Sequence, residues 1–94
     1  MPWFVYVLLS NRGHHYVGST GRSPHLRLAE HNAGLNRWTR AYRPWRLLYW
    51  ESYDSKQLAL ARERLFKTGA GRRLRDSLTA SRPPQDDPGR IESA

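Results

Sequence analysis

The sequence contains no cysteine. That excludes a disulfide-stapled miniprotein and a thiolate zinc site. Long apolar runs are missing too. The longest, Trp3 to Leu9, spans seven residues, against the ~18–20 needed to cross a bilayer. Met1-Pro2-Trp3 supplies no basic segment ahead of an apolar one, so no signal peptide is expected and the chain reads as soluble and cytoplasmic. Lysine is scarce, with Lys56 and Lys67 set against fourteen arginines. Acidic residues are few: eight against sixteen basic ones, a formal net charge of +8. No Walker loop, dinucleotide fingerprint or well-spaced Ser/His/Asp set occurs. His14-His15 is a lone pair in a turn and reads as solvated rather than as a metal site.

What is present fits one small domain. Ninety-four residues fall just below the common domain size of ~100–150. Such a chain buries only ~60–65% of its unfolded surface, so any site is a shallow groove on one face. The arginine excess has two readings: the codon bias of a GC-rich genome, or the planar fork that grips phosphate and stacks on bases. Codon bias does not account for the surplus of positive charge, which is the footprint of a polyanion binder. Residues 1–78 hold fourteen basic and five acidic side chains, +9; residues 79–94 hold two and three, −1. Three of the six prolines lie in that last stretch. The folded unit is therefore expected over 2–78, with a disordered tail over 79–94.

Residues 3–10 are aromatic and β-branched and read as a strand, Asn11-Arg12-Gly13 as a turn, and His15 to Ser19 as a second strand. A register in which opposed residues sum to 24 sets Tyr6 against Gly18 and Leu8 against Tyr16. Tyr6 and Tyr16 then share one sheet face. Ser23-Pro24 starts a helix that stops at Gly34, with Leu26, Ala29 and Ala33 as its expected buried stripe. Arg27 and His31 share another stripe. Residues 36–44 form a basic, aromatic loop, and Trp45 to Tyr53 a third strand. Asp54-Ser55 caps a helix over 56–68, with Leu58, Ala61 and Leu65 expected inward and Glu63 on another side. Gly69-Ala70-Gly71 is expected to break it before a last short helix. The order β-β-α-β-α-α gives an α+β domain, a three-stranded antiparallel sheet flanked by helices.

The residues able to carry chemistry are dispersed: Tyr6, Tyr16, Arg27, His31 and Glu63. Singly, each reads as an ordinary strand tyrosine or a solvated helix charge. Their order is more informative. Phe4-Val5-Tyr6 and Tyr16-Val17-Gly18 lie on paired strands, Arg27 follows on the next helix, and Glu63 on the helix after the third strand. With Tyr16-Val17-Gly18-Ser19-Thr20, Arg27-Leu28-Ala29-Glu30-His31-Asn32, Tyr42-Arg43-Pro44-Trp45, Arg62-Glu63-Arg64 and Lys67-Thr68-Gly69, the chain resembles the small single-domain bacterial members of the GIY-YIG nuclease family. The resemblance covers residues 3–78. The first motif keeps only its tyrosine.

The resemblance implies a metal-dependent endonuclease. Tyr16 matches the tyrosine proposed as general base toward water, and Tyr6 the second motif tyrosine that helps position it. Arg27 matches the arginine that holds the scissile phosphate. Glu63 matches the single carboxylate that binds one Mg2+ or Mn2+, and His31 a histidine of the small-member group. The chemistry is consistent: hydrolysis gathers charge on phosphoryl oxygens, which an arginine and a metal stabilise. A tyrosine of ordinary pKa, about 10, needs a nearby cation or metal to act as a base.

The other basic residues suit grip. Arg37, Trp38, Arg40, Tyr42 and Arg43 interleave cations with rings, as a groove for stacked bases would. Trp38 and Tyr42 read equally as packing under the loop. Lys67, Arg72 and Arg73, with Arg75, read as phosphate contacts or as a solvated helix face. The expected partner is nucleic acid, DNA before RNA, chosen by structure (single strand, flap or end) with weak sequence choice. A non-catalytic binding module, or a recruitment subunit for a repair enzyme, is the alternative.

Overall fold

The computed structural model describes residues 2–80. Its elements are strands β1 (Trp3–Ser10) and β2 (His15–Thr20), helix α1 (Pro24–Asn32), a 3-10 turn (Thr39–Tyr42), strand β3 (Trp45–Tyr53), and helices α2 (Lys56–Phe66) and α3 (Gly69–Ala80). The strands form one antiparallel sheet in the order β2-β1-β3. This is the expected α+β architecture. The hairpin register is the expected one, with Tyr6 opposite Gly18 and Leu8 opposite Tyr16.

Strand β1 is central and buried on both faces, as its unbroken apolar run requires. Alternation sends Val5 and Val7 to one face, where Val17, Tyr49, Ala59 and Phe66 join them under α2. Tyr6 and Leu8 go to the other face, with Trp45 and Leu47, covered in part by Leu28 of α1 and by Tyr42. A register shift between Val7 and Leu8 lets β3 serve both faces. Leu47 pairs with Leu8 and Tyr49 with Val7, so residues two apart on β3 turn to opposite sides. Tyr6, Phe66, Leu8 and Leu47 are the bulkiest fully buried apolar side chains. Burial of each contributes about 1.5–3 kcal/mol.

Both helix stripes differ from expectation. On α1, Leu26 is 53% exposed, and Ala29 and Ala33 are exposed. The inward face carries Pro24, Arg27, Leu28 and His31 instead. A helix offers the sheet one face, and here polar side chains that meet Tyr6 occupy it. On α2, Leu58, Ala61 and Leu65 point outward. Ala59 and Phe66 are buried, with Arg62 and Glu63 half-buried between them, a stripe rotated by one residue. Ser23 and Ser55 cap their helices through hydroxyls that accept from His25 N and Leu58 N.

The break between the last two helices falls at Lys67-Thr68. Gly69-Ala70-Gly71 is the first turn of α3, capped by Thr68 Oγ1, which accepts from Gly71 N at 3.0 Å. Helix α3 reaches Ala80 with Thr79 buried, two residues past the expected end of the folded unit. The remainder of the expected tail lies outside the described residues.

Candidate active site

The site begins at Gly18. A Cβ there would lie 2.5 Å from Tyr6 Oη and 3.1 Å from the Tyr16 ring. The missing side chain lets the Tyr6 ring cross β2 and bring its hydroxyl under α1. Tyr6 Oη lies 3.1 Å from His31 Nε2, and His31 Nδ1 lies 2.7 Å from Thr39 Oγ1. Tyr6, His31 and Thr39 are all buried. Tyr16 lies beside them, its ring centroid 4.9 Å from His31 and 6.3 Å from Tyr6.

Arg27 reaches the same hydroxyl from α1. Its guanidinium lies within electrostatic reach of Tyr6 and donates to Glu30 Oε1 at 2.6 Å. Glu30 also accepts from Arg22 Nη2 at 2.7 Å. The pair of arginines holds the Glu30 carboxyl below the usual carboxylate range. Burial pushes the Tyr6 phenol up to about 12, Arg27 offsetting only part of the cost. Burial, then the Arg27 charge, pushes His31 down to about 4. Both groups are therefore neutral at neutral pH. A proton arrangement that satisfies them has Tyr6 donating to His31 Nε2 and His31 Nδ1–H donating to Thr39.

Glu63 approaches from the opposite sheet face. Alternation turns Ser19 away from Gly18 and toward α2. Ser19 Oγ donates to Glu63 Oε1 at 2.6 Å, and Lys67 Nζ donates to Glu63 Oε2 at 2.7 Å. The carboxylate is held at the β2 edge, within electrostatic reach of Tyr6. The structure thus brings Tyr6, Tyr16, Arg27 and His31 together on one face of the sheet, and holds Glu63 at the β2 edge from the other face. Among the described residues, no group of three or more acidic, histidine or cysteine side chains could hold a metal.

A groove of about 300 Å3 adjoins Tyr16, lined by His15, Trp38, Lys67, Arg72 and Arg75. Trp38 is half exposed over the rings of Tyr16, Tyr42 and Trp45, with centroids 6.1, 5.0 and 6.3 Å away. Tyr42 packs as satellite core. The basic residues separate. Lys67 and Arg72 reach the groove. Arg43 instead donates to Arg40 O and Asn32 O beside the end of α1. Arg37, Arg40 and Arg73 are exposed elsewhere on the surface.

Sequence reasoning missed Thr39, Ser19, Glu30 and Arg22. Ser19 was legible, since strand alternation opposes it to the motif tyrosine and so to α2. Thr39 carried no signal, because the 3-10 turn that swings it onto His31 has no periodicity.

Comparison with known proteins shows the family. A family model described as the GIY-YIG catalytic domain matches residues 2–75, and the chain belongs to that family. Its members are generally nucleases. A UPF0213 protein of Streptococcus agalactiae is 43% identical over 68 residues, which are 71% of this chain and 76% of that one. A UPF0213 protein of Staphylococcus epidermidis is 38% identical over 66 residues, 69% and 79% of the two chains. The solution structure of a UPF0213 protein from Bacillus halodurans superposes with a TM-score of 0.51 at 28% identity, over 83% of this chain and 85% of that one. Among the described residues, no helix is long and apolar enough to cross a membrane.

Proposed function

We propose that the chain is a metal-dependent endonuclease that hydrolyses phosphodiester bonds in DNA. The observation that carries this reading is the cluster of Tyr6, Tyr16, Arg27 and His31 on one sheet face, with Glu63 at the adjoining β2 edge and a basic groove beside Tyr16. Arg27 is the phosphate clamp, its guanidinium fixed between Tyr6 and Glu30. Tyr6 and His31 stay neutral and hold that clamp in place. Tyr16, less buried than Tyr6, is the residue placed to take a proton from the attacking water.

Glu63 fits a single Mg2+ or Mn2+. It offers hard carboxylate oxygens, and Mg2+ commonly binds one or two carboxylates while keeping several waters. Its partner Lys67 is 53% exposed on a flexible stem and is free to turn to a phosphate instead. A bound ion would supply Lewis-acid stabilisation of the charge that gathers on the phosphoryl oxygens. Lys67, Arg72 and Trp38 line the approach and belong to substrate grip. Arg37, Arg40, Tyr42, Arg43 and Arg73 are secondary to them. Contacts of this kind position a backbone without reading sequence, so selection is by strand structure.

The test is cleavage of labelled single-stranded, flap and duplex DNA with Mg2+ or Mn2+. Wild type should cut, and Glu63→Ala and Arg27→Ala should lose on the order of a hundredfold or more, the scale of a lost charge-stabilising group. No cleavage with either metal, or full activity in Glu63→Ala, refutes the reading. DNA binding indifferent to EDTA and without cleavage would then favour a binding module.

A further inference from the structure

The groove beside Tyr16 has two unlike walls. One is the exposed Trp38 ring, backed by Tyr16, Tyr42 and Trp45. Trp38 is held from its backbone as well, its N–H donating to Asn36 Oδ1 at 3.0 Å. The ring is therefore a fixed platform whose open side costs little entropy to cover. The other wall is cationic: Lys67, Arg72 and Arg75. Arg75 is unusual among them. Its side chain is only 11% exposed, yet its carboxylate neighbour Asp76 is 62% exposed and sits at a long 3.3 Å. A guanidinium held by such a contact keeps further N–H donors for an anion in the groove. His15 lies in the same lining and adds a ring to it, its protonation disfavoured by burial and then by the Arg75 charge.

The geometry points to a subsite for one unpaired nucleotide, its base stacked on Trp38 and its backbone phosphate held by Arg72 and Arg75. The proposal rests on the nucleic-acid reading above and names the substrate class: single-stranded DNA at the position next to the reacting phosphate. The size supports it. About 300 Å3 is the small end of ligand sites, which run to ~1,000 Å3, enough for one nucleotide and too little for a base pair. Position supports it too, because Tyr16 lies in the same lining, so a strand seated here continues toward Arg27 and Glu63. The interior of a duplex cannot use Trp38 without first losing a pair, since both faces of an internal pair are already stacked. Lys67 joins the two regions, contacting Glu63 at one end and the groove at the other.

The test is fluorescence anisotropy of the full chain in EDTA, where cleavage plays no part. The probes are a short labelled oligothymidylate and an all-abasic strand of equal length. Oligothymidylate should bind on the order of tenfold more tightly than the abasic strand, the scale of one base–aromatic stack. Trp38→Ala should remove that difference and be largely rescued by Trp38→Phe. Arg72→Gln should weaken the oligothymidylate and the abasic strand alike and reduce the salt slope by about 0.7. Equal binding of the two single strands by wild type overturns the subsite without any substitution. So does a Trp38→Ala variant that weakens every probe equally. Stacking on Trp38 in a protein that cuts nothing supports the subsite and refutes the nuclease reading, whereas cleavage without Trp38 dependence does the reverse.

Discussion

Tyr6 Oη and His31 Nε2 lie 3.1 Å apart in the interior, and neither carries charge at neutral pH. The bond continues through His31 to Thr39, and beside Tyr6 stands Arg27, itself tied through Glu30 to Arg22. A buried neutral pair thus sets the position of a half-buried cation. The arginine is aimed by groups that neither gain nor lose a proton over the working pH range.

This arrangement sets a pH dependence of stability. His31 titrates near 4 when folded and near 6.5 when unfolded. Between those values the unfolded chain binds the proton in preference. The stabilisation is fully present above about pH 6.5 and is lost as pH falls toward 4. From about pH 7 to about pH 5 the loss is on the order of 2 kcal/mol. Urea unfolding of wild type and His31→Gln at both pH values checks this. The variant should lose about 2 kcal/mol less across the interval; parallel losses contradict it.

Gly18→Ala should damage the site while sparing the fold. Its Cβ would lie 2.5 Å from Tyr6 Oη, so the phenol must move off His31. The β1–β2 pairing does not depend on that side chain. We expect a cooperative unfolding transition to remain and cleavage to fall on the order of tenfold or more, as small misplacements of reacting groups do. Wild-type cleavage by Gly18→Ala would show that Tyr6 has no positioning role.

The two half-buried glutamates of the sheet edges should separate in a stability assay. Glu51 accepts from Tyr49, Tyr53 and twice from Arg62, at 2.5 to 3.0 Å. Burial would raise its carboxyl, but Arg62 and then the tyrosines outweigh that and hold it below the usual range. Arg62 in turn lies over the Phe66 ring at 4.6 Å. Glu51→Gln leaves a half-buried guanidinium without its counter-charge and should cost about 2–4 kcal/mol. Glu63→Gln keeps an acceptor for Ser19 and frees an exposed lysine, so it should cost less than about 1 kcal/mol. Thermal unfolding of both variants decides it, and equal destabilisation would refute the distinction.

The elements that alternate were legible in the sequence. Strand β1 announces itself by its apolar run, and the turn at Asn11-Arg12-Gly13 fixes the hairpin register that sets Tyr6 over Gly18. The helix faces were not legible, for one shared reason. Leu26 and Leu58 look like core by hydropathy, yet the inward positions went to Arg27, His31, Arg62 and Glu63, whose partners lie far along the chain. Tyr6 and His31 are twenty-five residues apart and Ser19 and Glu63 forty-four. Hydropathy counts a buried polar residue as a surface one until its partner is known. The β3 register shift was illegible as well, since nothing local in Leu47-Leu48-Tyr49 marks it.

The two glycines at the start of α3 should respond oppositely to alanine. Gly69 has open space where a Cβ would stand, whereas a Cβ on Gly71 would overlap the carbonyl oxygen of Leu65. Gly71 is buried, and its N–H is held by Thr68, so α3 cannot turn to relieve the overlap without losing its cap. Gly69→Ala lowers the entropy of the unfolded chain at a helical position and should be neutral or stabilise by up to about 1 kcal/mol. Gly71→Ala must push α3 off the end of α2, costing about 1–3 kcal/mol as overpacking does. The same shift carries Arg72 and Arg75 away from Trp38, so Gly71→Ala should also weaken oligothymidylate binding and Gly69→Ala should not. Thermal unfolding and anisotropy on the same two variants make the check. If Gly71→Ala matched Gly69→Ala in both, close packing of α3 on α2 would not be what holds the cationic wall opposite the ring.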